Sequence, residues 1–262
     1  MGHPFVPDEE RLRRFQDWGL VRYYHLRPPY PPETFVILNE LMVDEPRVVL
    51  DLGCGIGNIA RPLAALATVE RVDAVDVSLA MLERARELPG GTAPTIHWIH
   101  GRAEDVTLRP PYALVTAGMC LHWMDWGQVL PRLARVLTPR GLLAILNVRQ
   151  SLPWQQEYQQ IRRRFASQPS RPERPLVAEM EQHGLFRLLG ERQTAPLLMQ
   201  QTIEDHIAAQ YAYSSLAGLD SEQRADFERE MRELLTPFAR DGVLSFEVVA
   251  TITWGRPCDS AG

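Results

Sequence analysis

The sequence predicts an α/β fold: a mostly parallel sheet with helices on both faces, extended by a helical cap. Three observations carry that prediction. From Val48 to Val148, short apolar runs alternate with stretches whose apolar residues recur every three or four positions. The first of these runs ends in a glycine-rich bend, VVLDLGCGIGN, residues Val48 to Asn58. After Asn147 the rhythm changes to helical segments, and the chain closes on a β-branched run, LSFEVVATITWG.

The elements follow in order. Strands are expected at VVLDL (48–52), RVDAVDV (71–77), TIHWIHG (95–101), YALVTAG (112–118) and GLLAILNV (141–148). Between them IARPLAALA, SLAMLERARE and WGQVLPRLARVL have helical spacing, with Ser78 and Asp125 standing where N-caps belong. Further on, WQQEYQQIRRRFA and LVAEMEQHG read as helices on either side of the Pro/Arg-rich linker QPSRPERP. FRLLGERQTAPLLM is one long strand or two short ones. TIEDHIAAQYAYSSL and DSEQRADFEREMRELLTPFARDG are helices, and the closing strand rejoins the sheet, leaving the helices before it as a cap. The expected organisation is an N-terminal lid segment at 1–35, a ligand-binding core at 36–150 and a helical insertion at 151–185. The final strands then occupy 186–262, with a helical cap inserted at about 203–242.

Composition removes several function classes. The chain has 262 residues, 45% of them hydrophobic and 23% charged, with a formal net charge of -5, so no broad basic surface for nucleic acid is expected. All 28 basic residues are arginine, and a Walker-type phosphate loop needs a lysine. Cys54, Cys120 and Cys258 form neither a disulfide framework nor a zinc spacing, which fits a reducing cytoplasm and a protein without a metal. The opening MGHPFVPDEE lacks a secretory pattern, and no apolar run approaches the ~18 residues that span a bilayer. The expectation is a cytoplasmic protein that works on a small molecule, away from nucleic acid and membrane. Nothing in the sequence fixes its oligomeric state.

The bend has a chemistry of its own. A dinucleotide fingerprint needs G-x-G-x-x-G, but here the glycines fall at Gly53, Gly55 and Gly57 and the sixth position is Asn58. Asp51 precedes the first glycine by two positions, giving D-x-G-x-G-x-G. A carboxylate aimed into the bend repels a pyrophosphate and suits a cationic ligand such as an ammonium group. A second acid, Asp76, ends the second strand.

These residues resemble the first two motifs of class I S-adenosylmethionine (SAM)-dependent methyltransferases. GRAEDV (Gly101 to Val106) resembles the family's adenine loop, and TAGMCLHWMDW is similar to the HW-containing stretch of the small-molecule branch around trans-aconitate methyltransferases. VLTPRGLLAI resembles that branch's turn into the fifth strand, with Arg140 in place of its glycine. YYHLRPPYP (Tyr23 to Pro31) resembles the N-terminal segment that folds over the cofactor. The resemblance covers roughly residues 20 to 150. It implies a Rossmann-like sheet of seven strands with the last antiparallel, SAM as cofactor, S-adenosylhomocysteine (SAH) as product, and no metal. It further implies cofactor contacts from Asp51, Gly53, Cys54, Gly55, Asn58, Asp76, Val77, Met81, Ala103, Glu104 and Ala117, with Tyr23 and Arg27 at the methionyl carboxylate.

Methyl transfer from a sulfonium is an in-line displacement, so the protein chiefly orients the nucleophile. His122, at the carboxyl end of the fourth strand, is the candidate base, with a structural role as the other reading. Tyr24, His122, Trp123 and Tyr211 are the candidate substrate residues. Trp126 is either a substrate wall or core, and Tyr23, Tyr24 and His25 are expected to form a lid. Tyr211, Tyr213, Ser214 and Ser215 lie where a cap would look down on the site. Arg162, Arg163, Arg164, Arg171 and Arg174 are either a solvated face or an anion-gathering group. The expected activity is transfer of a methyl group to oxygen or carbon of a small organic molecule. Two rivals stand beside it: a non-catalytic SAM-binding module and an NAD-dependent oxidoreductase.

Overall fold

The computed structural model describes residues 18–166, 175–213, 216 and 218–259. Residues 167–174 lie outside that set, so most of the expected linker, with Arg171 and Arg174, is not described; the same holds for Ser214 and Ser215.

The sheet is built from β1 (Val48–Leu52), β2 (Arg71–Asp76), β3 (Ile96–His100), β4 (Tyr112–Gly118), β5 (Leu137–Ser151), β6 (Phe186–Gln193), β7 (Leu197–Thr202) and β8 (Val243–Pro257). Their order is β3-β2-β1-β4-β5-β8-β6, with β7 also paired to β8. β1 to β5 pair in parallel, and β8 runs antiparallel to β5, β6 and β7. The sheet therefore has seven positions across, with β6 and β7 sharing one edge. FRLLGERQTAPLLM is thus two strands, separated at Thr194–Pro196, where a proline cannot donate to the ladder.

β1 is buried along its whole length because it is flanked by strands and covered on both faces. Val48, Leu50 and Leu52 pack into one core with Leu130 and Leu133 of α5 (Trp126–Val136). Val49 points the other way, into a core with Ile37 and Leu38 of α2 (Glu33–Leu41), Leu63 of α3 (Ala60–Ala64) and Leu82 of α4 (Leu79–Glu87). Asp51 shares the side of Val49, since side chains alternate along a strand. A short α1 (Trp18–Val21) precedes a one-turn 3-10 segment, Tyr24–Leu26.

The cap has its own core. Trp154, Tyr158 and Ile161 of and before α6 (Gln155–Phe165) meet Ile207 of α8 (Ile203–Gln210), Phe227 and Met231 of α9 (Ser221–Leu235), and Phe246 and Val248 of β8. α7 (Leu176–Gln182) instead sends Met180 into the core beneath α5. Helix ends correct two expectations. α8 stops at Gln210 rather than continuing toward Leu216, and α9 gives way at Leu235 to a 3-10 turn carrying Pro237, which cannot continue the helix.

Ser78 caps α4 by accepting from the Met81 N–H. Asp125 occupies the N-cap position of α5, but its carboxylate accepts from the Gln128 side chain and makes no cap bond to backbone. A buried charge pins the sheet's far end: Asp73 accepts from Arg109 at 2.5 Å and from the Tyr112 hydroxyl at 2.8 Å, so it is not buried unpaired.

Candidate active site

The carboxyl ends of β1, β2 and β4 open into one cleft, as the topology of an open α/β sheet dictates. Two adjoining cavities of about 250 and 240 Å³ form it, sharing Tyr24, Arg27, Gly53, Gly55, Gly118 and Tyr213. Asp76, Val77, Met81, Ala103 and Glu104 line one end, and Asp51, Cys54 and Asn58 line the other. His122 and Trp123 stand on the wall between β4 and α5. The cleft thus brings together most of the residues singled out in the sequence.

The bend is shaped by backbone that only glycine adopts cheaply. Gly53 has φ +57°, and a Cβ there would come within 2.6 Å of the Cys120 Cβ. Gly55 has φ +53°, and its Cβ would enter the cleft toward Tyr24, 3.7 Å away. The Gly55 N–H donates to Asp76 Oδ2 at 2.7 Å, and the Ser78 N–H donates to Oδ1 at 2.8 Å. Burial pushes the Asp76 carboxyl up, against the pull of these N–H groups. Each oxygen retains a lone pair for a further donor.

Asp51 is the least satisfied acid of the site. Thr116 donates to Oδ1 at 2.7 Å, while Oδ2 is buried without a hydrogen-bond partner. Burial pushes its pKa up to about 7, with Asp76 adding to the rise and Thr116 and the Ala60 N–H opposing it. A buried carboxylate oxygen with nothing to accept from is complementary to a cation. Across the same cavity stands Arg27, whose guanidinium donates to the Tyr24 hydroxyl at 2.8 Å and lies over the rings of Tyr24 and Tyr213. An acid and an arginine facing each other across about 240 Å³ match the two charges of a free amino-acid end. These residues fit the methionyl and adenosyl halves of SAM.

The loop that carries Ala103 and Glu104 is braced from behind. Glu104 Oε1 accepts from the Asp125 N–H at 3.0 Å, and Arg132 donates to the Ala103 carbonyl at 2.7 Å. The loop's position is therefore tied to α5.

Five of the expected residues stand elsewhere. Tyr211 packs in the cap core, donates to Glu228 at 2.8 Å and meets Tyr23 with ring centroids 5.6 Å apart, so neither tyrosine lines the cleft. Ala117 is fully buried in the core one position before Gly118. Trp126 is core as well, its Nε1 donating to the Leu121 carbonyl. His25 is exposed outside the cleft. Tyr213, two residues past Tyr211, is the cap residue that reaches the cleft. Helix α8 ends at Gln210, and the turn that follows carries Tyr213 to the cleft. Met119 and Met124 also line the cleft, and only the turn after β4 brings them there. Burial pushes the Cys54 and Cys120 thiols well up, so neither is a reactive thiolate. Among the described residues no helix is long and apolar enough to cross a membrane.

The fold is that of the class I methyltransferases. Residues 49–141 match the family model described as methyltransferase domain. A trans-aconitate 2-methyltransferase of Methylobacterium radiotolerans is 33% identical over 134 residues, covering 49% of this chain and 48% of that protein. An uncharacterised methyltransferase of Schizosaccharomyces pombe is 27% identical over 83% of this chain and 86% of its own length. A solved structure from Anaeromyxobacter dehalogenans, provisionally assigned as a type II methyltransferase, shares the fold with TM-score 0.61 and 23% identity. That match covers 87% of this chain and 96% of that one. The chain spans about half the length of the trans-aconitate relative it matches. Residues 49–141 thus carry a methyltransferase domain on the class I sheet.

Proposed function

We propose that this enzyme methylates an oxygen of a small organic acid. The observation that carries the reading is the cleft's change of character along its length. The acidic residues Asp51 and Asp76 lie on the side of the bend, whereas the wall beyond is polar and aromatic, made of His122, Trp123 and Tyr213, with Arg27 between the two. The two acids suit the ammonium and the ribose of the cofactor, Arg27 its methionyl carboxylate, and the donors of the far wall the oxygens of a carboxylate acceptor. Relatives named for trans-aconitate and for malonyl-[acyl-carrier protein] O-methylation, acceptors that carry carboxylates, agree with it.

SAM supplies a methyl group already activated by a positively charged sulfur. What the chain does is hold and exclude. Asp51 would bind the ammonium, Arg27 the methionyl carboxylate and Asp76 the ribose hydroxyls. Cys54, Gly55 and Asn58 would pass under the methionyl chain. Val77 and Met81 would hold the adenine faces, with Ala103 and Glu104 at its edge. Tyr24 and Trp123 would shield the reacting centre from water, and His122 would hydrogen-bond the acceptor oxygen. An ionised carboxylate needs no base, so His122 orients it; a hydroxyl acceptor would give His122 its proton.

The test is incubation with methyl-labelled SAM and a panel of small carboxylic acids, followed by mild alkali. Methyl esters release the label. Alkali-stable label on a product would exclude a carboxylate oxygen and leave a hydroxyl, carbon or nitrogen acceptor. Tight SAM binding with no transfer to any acid would leave a binding module.

A further inference from the structure

Arg27 presents its guanidinium to the cleft from a segment with little secondary structure: the 3-10 turn Tyr24–Leu26 precedes it and Pro28 follows. Its backbone is nevertheless set on both sides. A proline confines the residue before it to extended geometry, and Arg27 has φ -65° and ψ 148°. On the other side, the Leu26 carbonyl shares a rigid peptide plane with the Arg27 N–H. That carbonyl accepts from Gln201 Nε2 at 3.0 Å.

Gln201 is buried near the end of β7, 175 positions from Leu26 in the sequence. Its Oε1 lies 3.1 Å from His206 Nδ1 on α8. A carbonyl can only accept, so the Gln201 nitrogen faces Leu26 and its oxygen faces His206. Each end of the amide is thus paired, and a buried amide paired at both ends has one orientation. The junction between β7 and α8 that carries the pair is closed by Thr202, which accepts from the Asp205 N–H at 3.0 Å. His206 in turn packs against Trp154 and Phe246 in the cap core. A continuous line therefore runs from the cap core through His206, Gln201 and Leu26 to Arg27, while Gln201 lines neither cavity of the cleft.

We propose that Gln201 is a positioning residue for the cofactor: through the Leu26 carbonyl it holds Arg27 where the methionyl carboxylate is taken. It acts on the amino-acid end alone, because the adenosyl end is held by the bend, β2 and the loop at Ala103, none of which it touches. The proposal rests on the reading of Arg27 as the partner of that carboxylate.

Two measurements on the full chain test it, with Gln201→Met as the variant that fills the same space without the amide. The first is amide hydrogen exchange without ligand: exchange over residues 23–27 should quicken about threefold or more. The second is titration calorimetry with SAH and with 5′-methylthioadenosine, the same adenosyl thioether cut short to a methyl and so lacking the amino-acid end. Gln201→Met should weaken SAH about three- to tenfold and leave 5′-methylthioadenosine within about twofold. In an Arg27→Met background the same substitution should change SAH affinity by less than about twofold. A substitution that merely loosened the fold would weaken both ligands alike. Equal weakening of the two ligands, undiminished SAH affinity or unchanged exchange overturns the proposal. If the wild type fails to bind SAH, or Arg27→Met binds it as tightly as the wild type, the cofactor reading of Arg27 is what fails, and the exchange rates alone decide whether Gln201 holds the segment.

Discussion

Arg27 lies over the ring of Tyr213 at 4.2 Å, and this contact joins the N-terminal segment to the cap across the mouth of the cleft. The same guanidinium donates to the Tyr24 hydroxyl at 2.8 Å. Cation–π contact contributes about 2 kcal/mol where the partners are desolvated, so the N-terminal segment and the cap are coupled at the cleft. A ligand that draws on Arg27 is therefore felt by the cap.

Asp51 sets a pH dependence on cofactor binding. Its folded pKa is raised to about 7 by burial, so below that pH the vacant carboxyl holds a proton. An ammonium selects the ionised form, and binding then releases the proton. The SAM dissociation constant should rise about tenfold per pH unit below about 7 and level off above it. Asp51→Asn should bind weakly and with a flatter profile. Equal slopes in the two proteins, measured by calorimetry between about pH 5.5 and about pH 7.5, would remove Asp51 from the ammonium site.

Gly53 and Gly55 separate stability from binding. Both have positive φ, which costs an alanine about 1–2 kcal/mol. At Gly53 the added Cβ also collides with Cys120, 2.6 Å away, so Gly53→Ala should lower the melting temperature most. At Gly55 the Cβ meets only Tyr24, at 3.7 Å, and enters the cleft. Gly55→Ala should melt closer to wild type yet lose SAM affinity about tenfold or more. Calorimetric binding paired with thermal melts checks both.

His122 discriminates the acceptor atom. Its ring lies 4.9 Å from that of Trp123 on the cleft wall. With a carboxylate acceptor, His122→Asn should raise KM and reduce kcat by less than about tenfold, because no proton leaves in the transition state. A fall of about a hundredfold or more in kcat alone, with SAM binding intact, would point to a hydroxyl or carbon acid.

Much of this site is legible in the sequence because its chemistry is local. The bend, Asp51, Asp76 and the loop at Ala103 each lie at the end of a strand that periodicity identifies, and parallel topology gathers strand ends. Tyr213 is not legible in that way. It follows the end of α8 by three residues, and only the packing of the cap on β8 decides whether it or Tyr211 faces the cleft. The failed cap bond of Asp125 has a similar cause: Gln128 on the next turn offers its own donor, a competition that position alone does not reveal. The bond between Gln201 and the Leu26 carbonyl joins positions 175 apart, and no periodicity in either segment points to the other.

The cap carries an acid-sensitive element that this packing makes explicit. His206 is buried among Trp154 and Phe246, with ring centroids 5.4 and 5.5 Å away. Its Nδ1 lies 3.1 Å from Gln201 Oε1, which assigns the proton to that nitrogen, and Nε2 is buried with no hydrogen-bond partner. Burial pushes its pKa down to about 4, so the folded ring stays neutral in a range where the unfolded ring takes up a proton. The stability that neutral His206 contributes is thus complete above about pH 6.5 and is lost as pH falls toward about 4, amounting to about 3 kcal/mol at most. Chemical denaturation across that range should show wild-type stability dropping more steeply than that of His206→Phe, which has no ring to protonate. Because acidic side chains elsewhere titrate in both proteins, the difference between the two curves isolates His206. Parallel curves would mean that water already reaches Nε2 in the folded cap and hydrates the charged ring there.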